Sequence, residues 1–363
     1  MSISHVTMFG ISESRQDGVR DQASVLADAL GARGIRVEWI WEERDGTSLT
    51  STLNAHRRLL QALRSAPSAT TVLWHYTPVG FGYRGIPGPA FLVPFIARTR
   101  SHRLILVAHE LASPFTRHAN RQAGDGLLIP ALHRFAAAWL IATVRTQVVT
   151  TTGRARTLRM LTPWRDHTVW NIPVTSNFSV TAHHTIRANL ERIGVLGWMN
   201  TDPSITATGI AAFAERTPAN VSVTFIGSRA PSAKLEHRWR GLLGRATAKF
   251  APDLSPTEFS TLLSDQDVVF LPNAGSLTTR SSLLAVALSH GLPIVGFDSP
   301  DAWSPLRDVV ILADNDSESV VAGLSSLIDP AVRSESARRA RNLYEAHLSP
   351  DHICERFLEV FSV

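Results

Sequence analysis

The densest set of groups able to hold an anion is Thr278, Thr279, Arg280, Ser281 and Ser282, which follow the buried-looking run Val268 to Leu271 and open an apolar stretch ending at His290 and Gly291. At the start of a helix the first N–H groups lack partners and the dipole is positive, so hydroxyls and an arginine added there make a cradle for phosphate oxygens. Plain helix capping accounts for the same serines and threonines, and that alternative stays open. The chain has two lysines, Lys234 and Lys249, followed by Leu235 and Phe250, so there is no G-x-x-x-x-G-K-[ST] loop. Phosphate must therefore be held by arginine, hydroxyl or backbone N–H groups.

Other polar residues sit where short apolar runs end. His109 and Glu110 follow Leu104 to Ala108; His109 is a candidate functional group at a strand end or a hydrogen-bonded core histidine, and Glu110 beside it is a candidate polar contact or simply exposed. Gly227 permits close backbone approach to a ligand, with Arg229 nearby. Gly18, Val19 and Arg20 open the first helix with N–H groups available to an anion, or are merely a helix start with a flexible glycine. Trp74-His75-Tyr76 and Phe81-Gly82-Tyr83-Arg84 are aromatics with polar tips, suited to stacking on a sugar or ring, with His75 and Tyr83 the candidates; a surface loop explains them equally. His183-His184 has no carboxylate cluster beside it, and adjacent histidines do not readily face one metal, so no metal site is expected.

These positions require a scaffold of strands and helices. Of the 363 residues, 44% are hydrophobic and 18% charged, which excludes a disordered chain, and the length favours two domains. The single cysteine, Cys354, excludes a disulfide framework and any cysteine-based zinc or iron–sulfur site. The net charge of +5 is carried by arginines spread along the chain, which favours a solvated surface over a nucleic-acid groove.

Strand-like and helix-like runs alternate. Strands are predicted at His5 to Phe9, Val37 to Trp41, Thr71 to Tyr76, Leu104 to Ala108, Gln147 to Thr151 and Thr168 to Ile172. A second set is predicted at Ile193 to Leu196, Val221 to Ile226, Val268 to Leu271, Pro293 to Phe297 and Val309 to Leu312. Ser255-Pro256-Thr257-Glu258 has the composition of a capping box with proline at the first helical position. This alternation implies an α/β fold with parallel sheets, and the polar stretch from Val174 to about Arg187 separates the two sets. In such sheets ligands bind at the carboxyl ends of strands, where the residues named above fall.

The segment from Phe270 to Val295, with Leu-Pro after the strand, a loop, and a helix ending Ala287 to Pro293, resembles the donor-binding segment of family 4-like glycosyltransferases of the GT-B fold. Asp17-Gly-Val-Arg-Asp-Gln with Arg33-Gly34 looks like that family's first loop and helix, Leu104 to Glu110 like its strand ending in histidine, and Ile172-Pro173 like its interdomain exit. The resemblance implies two Rossmann-like domains facing a cleft: 1–178 for the acceptor and 188–345 for a nucleotide-diphosphate sugar, with 346–363 a helix crossing back to the first. It implies a retaining transferase without a metal or other cofactor, with His109 near the reacting sugar. The segment holding Phe250 and Leu254 is then the nucleobase loop, Gly227, Arg229 and residues 278–282 meet the diphosphate, and Gly18 to Arg20, His75 and Tyr83 lie on the acceptor side. Two departures are visible. The family's pair of glutamates falls on Thr278 and Val286, and its Arg and Lys after the first strand of the second domain are replaced by Trp198, Met199 and Asn200. A subset of such enzymes carries an Arg-x-Ser type loop in place of the glutamate pair, and this chain looks closer to that subset.

The alternatives are a degenerate member that binds a sugar nucleotide or a partner without turnover, and an unrelated two-domain protein such as a binding module or an epimerase. The start MSISHVTMFG has no basic region followed by a long apolar run, so no signal peptide is expected. Leu127 to Val144 is the most membrane-like stretch but contains His133 and Arg134. The expected location is cytoplasmic, with peripheral contact at the inner membrane face left open.

Overall fold

The computed structural model describes residues 3–12, 18–44, 48–78, 81–83, 86–110, 128–161, 168–182, 184–299 and 302–363. Asp17, Arg84 and His183, named above, lie outside them, as does the side chain of Tyr83. The chain forms two compact units, Met1–Pro173 with Ile353–Val363, and Val174–His352.

The first unit is built on a six-stranded parallel sheet of β1 (His5–Ser12), β2 (Arg36–Glu43), β3 (Thr71–Tyr76), β6 (Arg103–Ala108), β7 (Thr146–Val149) and β8 (Thr168–Asn171). Its spatial order is β2-β1-β3-β6-β7-β8. Strands β1, β3 and β6 read as near-continuous apolar runs because both faces are covered. One cover includes Leu59, Leu63, Leu140 and Leu158; the other includes Leu26, Leu30, Phe357 and Phe361. Helices α1 (Gly18–Gly31), α2 (Leu49–Ser65), α3 (Val93–Thr99), α4 (Leu128–Thr143) and α5 (Thr152–Leu161) make the connections. Two very short antiparallel strands, β4 (Gly82–Tyr83) and β5 (Ile86–Pro87), form a hairpin where the sequence reads as loop.

The second unit has β9 (Arg192–Leu196), β10 (Ser222–Ile226), β11 (Thr247–Ala251), β12 (Val268–Leu271), β13 (Ile294–Phe297) and β14 (Ile311–Ala313), all parallel and ordered β11-β10-β9-β12-β13-β14. Its helices are α6 (Pro203–Arg216), α7 (Ala233–Leu242), α8 (Pro256–Ser264), α9 (Ser282–Ser289), α10 (Ser317–Ser325) and α11 (Pro330–His347). The α8 start has the full capping box: the Ser255 side chain accepts from the Glu258 N–H, and the Glu258 carboxylate accepts from the Ser255 N–H. Val174 already belongs to this unit, so the polar stretch read as a spacer is part of the second unit's structure. Arg187 there binds Asp265 and the buried Asp267, and its carbonyl accepts from Arg333.

The last helix, α12 (Pro350–Ser362), carries Ile353, Cys354, Phe357, Val360 and Phe361 into the first unit's core. Arg103 holds its end by donating to the carbonyls of Val360, at 2.8 Å, and Phe361. Arginine at a helix C-terminus satisfies carbonyls that have no intrahelical partner.

Candidate functional site

In the first unit the carboxyl ends of β1, β2, β3 and β6 assemble around two imidazoles. His75, one residue before the end of β3, is buried, and its Nδ1 lies 3.0 Å from Nε2 of His109, the first residue after β6. The rings are nearly parallel, with centroids 5.3 Å apart and 21° between planes. The His109 N–H donates to the Tyr76 carbonyl at 3.1 Å, which continues the sheet pairing one residue beyond β6. Its own carbonyl accepts from Arg154, whose guanidinium also donates to Thr150 Oγ1 at 2.9 Å.

Trp41 covers His75 from β2, with centroids 5.8 Å apart, and its Nε1 donates to Ser12 Oγ at 3.1 Å. That ring lies against the backbone of Gly10, its register partner on β1; a Cβ on Gly10 would fall 2.5 Å from ring carbons. Only glycine at position 10 admits the indole there, and the indole in turn walls the imidazole pair.

Burial removes water that would stabilise an imidazolium, and an adjacent cation adds repulsion. The His109 pKa is pushed down to about 4, by burial first and then by Arg154. His75 is held well below the ordinary histidine range, by burial first and then by His109. At neutral pH both rings are therefore uncharged, and one hydrogen serves the facing Nδ1 and Nε2. This pair can donate or accept a hydrogen bond but brings no charge. Glu110 is exposed beside it. Gly18, Val19 and Arg20 form the first turn of α1, with Arg20 exposed.

Thus the structure brings together His75 and His109, which the sequence placed in different roles. It adds Trp41 and Arg154, which sequence reasoning missed, and Gly10, which the sequence marked only as the end of the first strand run. A glycine inside a strand was the one available signal, since it marks close approach of another group.

In the second unit the chain leaves β12 through Pro272 and Asn273, whose side chain accepts from the Gly275 N–H at 2.9 Å. Thr278 and Thr279 are buried; Thr278 Oγ1 donates to the Gly275 carbonyl at 3.1 Å, and the Thr279 carbonyl accepts from the Val174 N–H at 2.8 Å. Ser281 is the N-cap of α9 and accepts from the Leu284 N–H at 3.2 Å. Capping is thus realised by Ser281, while the N–H groups of Ser282 and Leu283 have no acceptor among the described residues. Arg280 is exposed at the same helix end, with no carboxylate partner among the described residues. Gly197, after β9, takes φ of 72°, which favours glycine, and packs under Leu283 of α9; a Cβ there would lie 3.2 Å from Leu283 Cδ1. Val286, at one of the positions where a glutamate was looked for, is fully buried in α9.

Two expectations of position change. Phe250 lies inside strand β11 and not in a loop: its ring stacks on Phe225 at 4.6 Å and 10°, meets Trp198 edge-on at 5.4 Å, and carries the Arg240 guanidinium 5.0 Å above its centre. Leu254 is half-buried against the α8 side of the core. Gly227 follows β10 and donates to the Ala251 carbonyl at 3.3 Å; nothing comes closer than 3.6 Å to a Cβ placed on it, so no protein atom demands glycine. Arg229 is exposed beyond it.

A pocket of about 360 Å³ opens at the ends of β9, β12 and β13, where Thr201, Asp202, Ser204, Pro272, Asn273 and Phe297 line it. Asp202 is already engaged there, capping α6 through the Ser204 N–H at 2.9 Å and pairing with Arg238 at 2.8 Å. Among the described residues no three His, Cys, Asp or Glu side chains group as a metal site.

No family model matches the chain, and no curated protein sequence does. Solved structures do match over nearly the whole length. Sucrose-phosphate synthase from Thermosynechococcus elongatus aligns with TM-score 0.66 at 12% identity, over 99% of this chain and 98% of that one. HepE from Anabaena, solved with UDP and glucose, aligns with TM-score 0.65 at 13% identity, over 99% of both chains. The lipopolysaccharide outer core galactosyltransferase WaaB aligns with TM-score 0.62 at 13% identity, again over 99% of both. With two parallel six-stranded sheets in two Rossmann-like units, and this likeness along the entire chain, the protein has the GT-B glycosyltransferase fold.

Proposed function

We propose that the protein is a glycosyltransferase that moves a sugar from a nucleotide-diphosphate sugar to an acceptor hydroxyl, with retention of anomeric configuration and without a metal. The observation that carries this reading is the α9 terminus, where Ser282 and Leu283 N–H groups without an acceptor among the described residues and an exposed Arg280 stand together at the carboxyl end of β12. Support also comes from HepE, a protein of this fold solved with UDP-glucose.

When the bond from the anomeric carbon to the phosphate oxygen breaks, negative charge gathers on the departing diphosphate. Oriented donors that are in place beforehand lower that barrier most, because they need no reorganisation. Arg280 and the helix terminus supply this charge compensation, with Gly227 and Arg229 at the end of β10, on the far side of β9. The acceptor oxygen forms the new bond to the anomeric carbon, and its proton leaves with the departing phosphate oxygen. His109, being neutral, orients the sugar by hydrogen bonding, and Glu110, Gly18, Val19, Arg20 and Tyr83 serve the acceptor. The nucleobase lies by the turn after β11, near Leu254.

The test is release of nucleoside diphosphate from a panel of sugar nucleotides with chelator present, combined with thermal shift against free nucleoside diphosphates. Turnover that persists with chelator and gives a product with the anomeric configuration of the donor supports the reading; the opposite anomer removes its retaining part, and turnover only on adding a divalent ion removes its metal-free part. The second reading, a protein that binds the sugar nucleotide without turnover, is favoured by the neutral residues Thr278 and Val286. Stabilisation by a nucleoside diphosphate with no release from any donor would select it.

A further inference from the structure

One helical face of the first unit combines exposed apolar side chains with arginines that have no carboxylate partner among the described residues. Among the described residues ten large apolar side chains are exposed, and five of them, Leu49, Leu53, Leu92, Phe95 and Phe135, belong to α2, α4 and the segment Pro89–Thr99. Phe135 is 65% exposed, Phe95 50%, Leu92 47% and Leu53 45%. These residues belong to one surface. A groove of about 500 Å³ lined by Leu53, Arg57, Leu60, Arg64 and Pro89 joins α2 to the turn before α3. Phe91 in that turn meets Phe135 at 6.5 Å and Trp139 at 6.1 Å, and Phe95 meets Trp139 at 6.0 Å, which carries the surface on to α4.

The charge on this surface has one sign. Helices α2 and α4 and residues 89–99 contain no Asp or Glu. Arg57, Arg64 and Arg98 are exposed and pair with no carboxylate among the described residues. The asymmetry extends along the chain: residues 46–165 hold fifteen arginines against two acids, Glu110 and Asp125, although the whole chain is only +5.

We propose that this face docks on the surface of an anionic lipid bilayer, with Phe95, Phe135, Leu92 and Leu53 entering the headgroup boundary and Arg57, Arg64 and Arg98 meeting lipid phosphates. Exposed apolar side chains interspersed with arginines match a layer that is apolar below and negatively charged at its rim. A second copy fits less well, because a two-fold pairing would set like-charged arginines against each other. A nucleic acid would lay its phosphates over exposed phenyl rings. Attachment would be peripheral, since among the described residues no helix is long and apolar enough to cross a membrane.

The inference is independent of the glycosyl-transfer reading and is tested without it, by sedimentation of the full chain with vesicles of phosphatidylcholine alone or with about one-third phosphatidylglycerol. Binding is expected only to the anionic vesicles and should weaken by about tenfold or more as salt rises through the range where charges a Debye length apart are screened. Phe95→Ser with Phe135→Ser, and separately Arg57→Gln with Arg64→Gln, should each lower partitioning by about tenfold. The thermal midpoint should hold, because these side chains are exposed. Absence of binding, equal binding to neutral vesicles, or full binding by both variants would overturn the proposal. So would a dimer in light scattering that the Phe95→Ser, Phe135→Ser variant abolishes, since the occupant would then be a second copy.

Discussion

The two units use the same kind of sheet in opposite ways at their strand ends. In the first, the ends of β1, β2, β3 and β6 meet in a packed, neutral cluster: Gly10 under Trp41, Trp41 against His75, and His75 bonded to His109. In the second, the end of β12 leads to a helix terminus whose cation and two N–H groups have no partner among the described residues. Strand order differs as well. Read by position along the chain and leaving out the hairpin, the first sheet runs second-first-third-fourth-fifth-sixth and the second runs third-second-first-fourth-fifth-sixth. Each order reverses direction once, beside β1 in the first unit and beside β9 in the second, and ligand crevices open at such reversals. The contrast teaches that a sheet can spend its strand ends on positioning a neutral hydrogen-bonding group or keep them free for charge.

The comparison breaks most visibly with pH. His109 has a folded pKa of about 4 against an ordinary 6.5, and His75 is depressed too. The unfolded chain therefore binds more protons below the ordinary histidine pKa, so stability present at neutral pH is lost as pH falls from about 6.5 towards 4. For His109 alone the loss approaches about 3 kcal/mol. Denaturant unfolding at the two ends of that window measures it, and His109→Asn should remove its share of the slope, the rest coming from His75 and from His56, His102, His184 and His290, whose pKa values burial also lowers. A slope unchanged in His109→Asn would show that the ring titrates freely.

Arg280→Ala tests the other unit. Loss of a charged hydrogen bond should weaken nucleoside diphosphate binding by about 1.5–3 kcal/mol while stability stays within about 0.5 kcal/mol. Titration calorimetry beside thermal unfolding separates the two quantities, and unchanged affinity would take Arg280 out of the cradle.

Gly10→Ala overlaps the Trp41 ring and should destabilise by about 1–3 kcal/mol. Gly227→Ala, with no atom nearer than 3.6 Å, should stay within about 0.5 kcal/mol. Equal effects in chemical denaturation would erase the distinction between a packed strand end and an open one. A modest effect is expected for Ser281→Ala, where loss of the bond to the Leu284 N–H should cost about 1 kcal/mol in the same assay. An effect near zero would mean that the α9 terminus is held by other groups.

Much of the framework is legible in the sequence. The apolar runs of β3, β6 and β12, the capping box at Ser255 and the α9 start at Ser281 are local patterns, and they appear where periodicity and capping chemistry place them. Strand β11 was missed because Thr247–Ala251 is short, contains Lys249 and two alanines, and lies at a sheet edge where one side is solvated. The same miss put Phe250 in a loop. Strand β1 runs on through Ser12 because it pairs with β2 as far as Glu43, which no local composition announces.

By itself the sequence determined the alternation of strands and helices, and with it the α/β class. It also marked the hydroxyl- and arginine-bearing start of α9. Those features depend on neighbours within a few residues, through burial periodicity and backbone capping. Only the tertiary structure decided that His75 and His109, 34 positions apart, share a hydrogen, and that Trp41 lies on Gly10. Strand order and register set those meetings, and both arise from long-range packing that no short stretch of chain encodes.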